Sequence, residues 1–373
     1  MSDASRRRTW FLIAAALIAV WGLLGLIDQP NQPFSGYQTD GDNTIVLVRP
    51  GSPAEAAGLQ VGDHITSIGG ISVEDSRALA ERPRPDIGET RTLVVDRDGT
   101  SVDVDLTYSE VIGNQRTLGY VAVLLGFVFL VFGLLPYLKA PTRPAELLAM
   151  TGLGLSLAFF TGPYFASYGL RTAFASLTLV AIIFGFAFLM DLMVTYPRPK
   201  GWRSASWAPW VVYGPAALVS AVIVYVIVAS PAATSGLNVA INTMFGLFIV
   251  YYFGAAMVAM VHSWARATPA EREAYGLTTV LVGVLVGLLP VTLGSLVGIF
   301  SPETVLPGSD YYFVLLGLIP ITLWAALSRS GGGYVAPHAA PVAAPAPEAA
   351  ASPPEAAAPP PPPPPPETDP YEP

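Results

Sequence analysis

The chain has 373 residues, 52% of them hydrophobic and 12% charged, with a mean hydropathy of +0.52 and a formal net charge of −8. Soluble domains carry about 25% charged residues, so this deficit, gathered into long apolar runs, predicts a polytopic α-helical membrane protein. The acidic balance excludes nucleic acid as a partner, because phosphate recognition needs clustered Lys and Arg, and the lack of cysteine excludes thiol catalysis, Cys-type zinc sites and disulfides.

Residues 1–30 place Arg6, Arg7 and Arg8 ahead of an apolar run over 10–27. That run is long for a signal-peptide core and no small-x-small cleavage site follows it, so it reads as an uncleaved signal anchor and first span. Residues 31–116 are polar and form the one soluble domain. Seven further apolar runs follow, at 118–138, 145–161, 172–196, 207–230, 239–264, 275–300 and 311–327. Each is about 17 to 26 residues, enough to cross ~30 Å of hydrocarbon at 1.5 Å per residue. Eight spans are therefore expected, with residues 117–329 forming a seven-span membrane domain after the soluble one.

Lys and Arg set the expected orientation. With the N-terminus in the cytoplasm, the inner segments hold eleven basic residues: Arg6, Arg7, Arg8, Lys139, Arg143, Arg198, Lys200, Arg203, Arg266, Arg272 and Arg329. Beyond the soluble domain the outer loops hold Arg171 alone. The soluble domain is thus expected outside the cytoplasm, both termini inside, and the chain in a bacterial inner (plasma) membrane. Thr268-Pro269-Ala270-Glu271 is a capping-box start for the seventh span. Pro290 and Pro320, in the last two spans, predict kinks whose freed carbonyls an adjacent Thr or a neighbour must satisfy. Residues 330–373, Pro- and Ala-rich with eight prolines at 359–366, cannot build a core. They read as a disordered cytoplasmic tail, a spacer or a ligand for a cytoplasmic partner.

Within the soluble domain, a strand over 44–48 meets a turn at Pro50-Gly51. Ser52 then caps one helical turn with Pro53 in its first position, and Gly58 ends it in a left-handed conformation. Gly62-Asp63 and Gly69-Gly70 make further turns. Ser72 and Asp75 cap a helix reaching Arg82, and two strands joined at Asp98-Gly99 finish the domain.

The string Gly-Ser-Pro-Ala-x-x-Ala-Gly-Leu-x-x-Gly-Asp-x-Ile at 51–65, followed by Ile68-Gly69-Gly70, resembles bacterial PDZ domains of the kind attached to periplasmic serine proteases and site-2 proteases. That resemblance implies a small α+β fold that binds extended or C-terminal peptides by strand addition. It also implies that Phe34-Ser35-Gly36-Tyr37 is the carboxylate-binding loop and groove strand, with Leu79 on the opposite wall. Gln38–Asn43 then separate Tyr37 from the next strand.

Nothing in the sequence reads as an enzyme. The histidines are His64, His262 and His338, and none stands in the His-Glu-x-x-His string a site-2 protease needs. A Ser–Lys dyad is excluded because Lys139 and Lys200 both fall in inner loops. Asp191 is the only acidic residue well inside a span, which excludes a two-aspartate protease. Snorkelling or capping is expected of it, and an interfacial position facing headgroups of His262. No cofactor is expected.

An anchor, an outer PDZ domain and seven more spans are also similar to the input modules of multi-span sensor histidine kinases of the quorum-sensing type. The strings carrying that likeness are Phe188-Leu189-Met190-Asp191-Leu192-Met193-Val194-Thr195-Tyr196-Pro197-Arg198-Pro199, Thr268-Pro269-Ala270-Glu271-Arg272 and Ile319-Pro320-Ile321-Thr322. Where that family continues into its kinase, this sequence has only the tail. The expectation is a receptor-like signalling or regulatory protein that binds a peptide or protein C-terminus outside the cytoplasm. The alternative is an envelope assembly or quality-control scaffold.

Overall fold

The computed structural model describes residues 3–111, 113–232, 234–301, 304, 306–330 and 362–363. The expected tail at 330–373 lies almost wholly outside the described residues. A helix, α1 (Asp3–Asp28), leads through a 3₁₀ turn at Gln29–Asn31 into the strand-rich domain. There the order is β1 (Pro33–Phe34), β2 (Tyr37–Thr39), β3 (Ile45–Val48), α2 (Pro53–Ala56), β4 (His64–Ile68), β5 (Ile71–Ser72), α3 (Ser76–Glu81), β6 (Thr90–Arg97), β7 (Thr100–Thr107) and β8 (Ser109–Glu110). The strands form an antiparallel sheet in the order β5-β4-β6-β7 and the pairs β1-β8 and β2-β3.

Local chemistry sets these elements. Ser52 Oγ accepts from the Glu55 N–H at 3.3 Å to cap α2, and Asp75 Oδ1 accepts from the Ala78 N–H at 3.0 Å to cap α3. Asp98 and Gly99 both take positive φ, 53° and 77°, which matches the twist a two-residue hairpin needs between β6 and β7. Alternation buries Leu93, Val95, Val104 and Leu106 against Ile45 and Ile65 while Asp103 and Asp105 face outward. Residues 40–44 form a tight turn in which Asp40 Oδ1 accepts from the N–H groups of Asp42 and Thr44 at 2.8 and 2.9 Å. That turn accounts for the segment between Tyr37 and β3.

Asp63 is buried beneath Arg97, accepting from its Nε and Nη2 at 2.7 Å each and from the Gln60 N–H at 2.9 Å. The Arg97 hydrogen bonds hold its carboxyl below the usual carboxylate range. A lowered folded-state pKa stabilises at pH values above the unfolded value, and this contribution is lost as pH falls through the folded value. Acid titration should therefore destabilise the strand domain below about pH 4, and Asp63→Asn should flatten that dependence. Circular dichroism melts across pH check it.

The remaining chain is helical: α4 (Gly113–Lys139), α5 (Arg143–Ser156), α6 (Tyr168–Thr195), α7 (Ala208–Ala229), α8 (Ser235–Arg266), α9 (Pro269–Ala274), α10 (Leu277–Phe300), α11 (Tyr312–Leu315) and α12 (Leu318–Arg329). Among the described residues seven helical segments, rather than eight, are long and apolar enough to cross a membrane. The run over 145–161 departs from expectation. Its helix, α5, is 14 residues long and continues as a turn and irregular chain. It lies between α4 and α6 on glycines. A Cβ on Gly152 would stand 2.5 Å from Phe129 O, and one on Gly154 2.6 Å from Ala181 O. Backbones approach this closely only where side chains are absent.

The last apolar run, one helical segment over Ser309–Arg329, is interrupted at Leu316-Gly317 between α11 and α12, where Pro320 lacks the N–H that would ordinarily reach the Leu316 carbonyl. Pro290 lies inside the continuous α10, but Thr292 Oγ1 donates to Leu288 O at 2.8 Å, not to the Val286 carbonyl that the proline leaves without its usual donor. The Thr268 capping box forms as expected, but it opens the separate short helix α9, and Gly276 at φ 60° intervenes before α10.

Asp191 neither snorkels nor caps. It is fully buried, accepting from Arg203 Nε and Nη2 at 2.7 and 3.0 Å, Tyr213 Oη at 2.7 Å and Arg143 Nη2 at 3.3 Å. One carboxylate thereby joins α5, α6, α7 and the loop between the last two.

Candidate functional site

Phe34 pairs with Ser109 in the β1-β8 ladder, fixing the start of the loop. The Ser35 carbonyl accepts from the Ala54 N–H at 2.9 Å, which ties the loop to the start of α2. Gly36 has φ 86°, and a Cβ there would stand 2.1 Å from Ser52 Cβ. The loop can pass over the buried Ser52 only with glycine at 36. The N–H groups of Ser35 and Gly36 donate to no protein acceptor among the described residues.

Tyr37 stands opposite Val48, and the Arg49 N–H donates to Gly36 O at 2.9 Å. In an antiparallel ladder these two facts make Tyr37–Val48 a non-hydrogen-bonded pair, so the N–H and C=O of Tyr37 point away from β3. Among the described residues β2 pairs with β3 alone, which leaves that edge open. The Tyr37 side chain packs on the domain core, and burial, with Tyr108 nearby, pushes its phenol up to about 12. Tyr37 thus contributes its backbone to the edge and its ring to the core.

Leu79 stands half-buried on α3. The loop residues 34–37 are brought together, whereas no hydrogen bond or strand pairing joins α3 to β2 among the described residues. The helical part of the chain helps to fix α3. Arg171 Nη2 donates to the carbonyls of Ala80 and Glu81 at 2.6 and 3.2 Å, capping the C-terminus of α3 from α6. Arg171 Nη1 also donates to Tyr164 Oη at 2.6 Å, and the same hydroxyl accepts from the Arg84 N–H at 3.0 Å. Arg84 lies over the Tyr164 ring and pairs with Asp28 through two bonds of 2.6 and 2.7 Å. Arg49 pairs with Asp310 at 2.8 and 3.2 Å.

Sequence reasoning missed this set of contacts. The available signal was Arg171, the lone basic residue in the outer loops against a strong bias. Arg171→Ala removes charged hydrogen bonds worth about 1.5–3 kcal/mol each, so amide exchange in α3 should accelerate about tenfold or more. Hydrogen exchange on the intact chain checks this.

At the opposite end of the helices the structure corrects the reasoning about Lys200. It is not isolated in its loop: Nζ donates to Ser263 Oγ on α8, and that hydroxyl donates to Tyr196 O at 3.1 Å. The two bonds hold segment 196–203 against α8. His262 is exposed and lines a cavity beside this pair.

Residues 44–97 match the PDZ domain family. Over 56 residues the chain is 45% identical to the Na(+)/H(+) exchange regulatory cofactor NHE-RF2 of Oryctolagus cuniculus, covering 14% of this chain and 18% of that protein. It is 29% identical over 155 residues to the zinc metalloprotease RasP of Shouchella clausii, covering 40% and 37% of the two chains. With RasP of Oceanobacillus iheyensis it shares 32% identity over 95 residues, covering 24% and 22%. The chain thus spans between about one fifth and two fifths of the length of these curated relatives.

The protease relatives overturn two expectations. They point to proteolysis in place of a receptor-like signalling protein or scaffold, and they contradict the inference that nothing here belongs with enzymes. The zinc their name implies does not fit the residues present: no group of three His, Cys, Asp or Glu forms among the described residues, and His64 and His262 lie on β4 and α8. No catalytic step through zinc is therefore derived. Residues 44–97 are a PDZ domain, borne on a chain with, among the described residues, seven apolar helical segments long enough to cross a membrane.

Proposed function

We propose that the chain works in proteolysis at a membrane, with its PDZ domain engaging the polypeptide to be cut by adding it as a strand to the edge of β2. The observation that carries this is the outward-facing main chain of Tyr37 beside the unused N–H groups of Ser35 and Gly36. Two N–H groups at the head of an open strand suit a terminal carboxylate, and the edge suits the residues preceding it. Leu79 supplies the apolar wall. The RasP relatives support the proteolytic setting.

The surrounding arrangement is part of the same proposal. We place the PDZ domain outside the cytoplasm of a bacterial inner membrane, on the basic bias described above. An eighth crossing is completed by α5 and the chain that follows it. Glu146 lies 3.8 Å from Arg7 near one end of α1, and Gly162 lies against Gly25 near the other. Gly25 lies eighteen helical steps beyond Arg7, about 27 Å of rise.

The intact chain in nanodiscs should bind peptides with a free, apolar C-terminus, with Kd on the order of micromolar. C-terminal amidation or Leu79→Asp should weaken binding about tenfold or more, by removing the carboxylate's partners or by placing a charge on the apolar wall. Acidic peptides should bind less well at low salt, since residues 31–116 carry more acidic than basic side chains. In cells, deletion of the chain should alter the cleavage of particular membrane proteins. Restoration by the wild type but not by Leu79→Asp supports the proposal; unchanged cleavage on deletion refutes it.

A further inference from the structure

Where α6 and α8 end, segment 196–203 and α9 close over a cavity of about 610 Å³. Much of its wall is apolar, from Val194, Pro197, Trp202, Ala255 and Val258. Lys200, Arg198 and Arg266 enter it as cations. Arg198 is paired with Glu271 across the mouth. Lys200 differs: it makes no ion pair among the described residues, its Nζ donating to the neutral Ser263 hydroxyl. Burial pushes its pKa below the ordinary lysine range, the mark of a cation short of compensating charge. Arg266, exposed at the rim, makes no ion pair among the described residues.

An apolar cavity with two uncompensated cations matches an amphiphile that carries a negative head. Its position selects among such molecules. Val258, 69% exposed, stands on the outer surface of α8 about two turns before the helix ends, so the cavity opens on the side where acyl chains would lie. We propose that this cavity holds an anionic phospholipid, its phosphate between Lys200 and Arg266 and an acyl chain along Ala255 and Val258. The bound phosphate would compensate Lys200 and fasten segment 196–203 to α8. This site is independent of the PDZ groove and of the function proposed for it.

Native mass spectrometry on the full chain, released from nanodiscs of phosphatidylcholine and phosphatidylglycerol in equal amounts, tests it. The wild type should retain phosphatidylglycerol over phosphatidylcholine, and Lys200→Met or Arg266→Gln should each lower that preference about fivefold, as expected for one basic side chain at an anionic lipid surface. Arg266 is exposed and makes no hydrogen bond or ion pair among the described residues, so its variant should leave the fold intact and isolate the charge. Ala255→Phe, filling the wall with both cations in place, should also reduce retention. Equal retention of the two lipids, or retention unchanged in all three variants, would overturn the site. Displacement of the lipid by inorganic phosphate at constant ionic strength would assign the pocket to free phosphate and overturn the lipid reading.

Discussion

Asp191→Ala should cost the folded chain about 3–5 kcal/mol, the loss typical of removing one partner from a buried ion pair. The carboxylate accepts from Arg203, Tyr213 and Arg143 with no exposure of its own. Without it Arg203 keeps a positive charge in a half-buried position, whereas Arg143 can still turn to Glu146 at 3.1 Å. The stranded charge and the lost Tyr213 acceptor dominate the cost. Asp191→Leu combined with Arg203→Met should therefore recover much of the stability, because apolar replacement of a buried pair is often close to neutral. Thermal unfolding in detergent, read by tryptophan fluorescence, compares the variants. A single variant as stable as the wild type would mean that water reaches the site and that the cluster is not a fastening point.

Gly36→Val should unfold the PDZ domain before it affects any ligand. A side chain at 36 meets Ser52 Cβ at 2.1 Å and Ser52 Oγ at 2.5 Å, and the φ of 86° disfavours a branched residue. Backbone strain of about 1–2 kcal/mol and overpacking of about 1–3 kcal/mol act together. Displacing Ser52 also removes the cap of α2. Fast amide exchange across β2, β3 and α2, with exchange in α6 and α8 unchanged, is the expected signature. Slow exchange throughout would show that the loop can shift away from Ser52. Peptide binding lost in this variant is for that reason no test of the groove, and amidated peptides with Leu79→Asp are the sharper instruments.

The PDZ domain was legible because its chain reversals rest on residues with restricted or unusual backbone preferences. Gly51, Gly58, Gly62, Gly69, Gly70 and Gly99 all take positive φ, and Ser52 and Asp75 cap the helices expected of them. Gly36 was also identified, though the physical reason differs: Ser52, sixteen residues away, requires the glycine whether or not a peptide binds. Hydropathy located apolar runs but cannot say whether a run is helical throughout, and α5 stops at Ser156 although apolar residues continue to Phe160.

Contacts between distant charges were the least legible. Asp191 meets Arg203 twelve residues on and Arg143 forty-eight residues back, and Arg84 meets Asp28 across the whole domain. Read singly, those residues marked only which side of a membrane a loop occupies. Lys200 was set aside on that ground, and its partner Ser263 lies on another helix. Motif reading reached the likeness to protease-borne PDZ domains but set proteolysis aside, because the similarity to RasP rests on modest identity over 155 residues rather than on a short catalytic string.

The contacts of Arg49, Arg84 and Arg171 with Asp310, Asp28 and the end of α3 give the PDZ domain a fixed seat on the adjoining helix ends. A domain on a loose tether could search a wide volume; under the function proposed above, this one would work as a gauge of length. A polypeptide emerging from a membrane must bridge whatever gap separates its own exit point from the seated groove. Extended chain covers at most about 3.3–3.6 Å per residue, so an outer tail that is too short leaves its end beyond reach of β2. Trimming a tail one residue at a time should thus produce a threshold in capture, where a freely swinging domain would give a gradual decline.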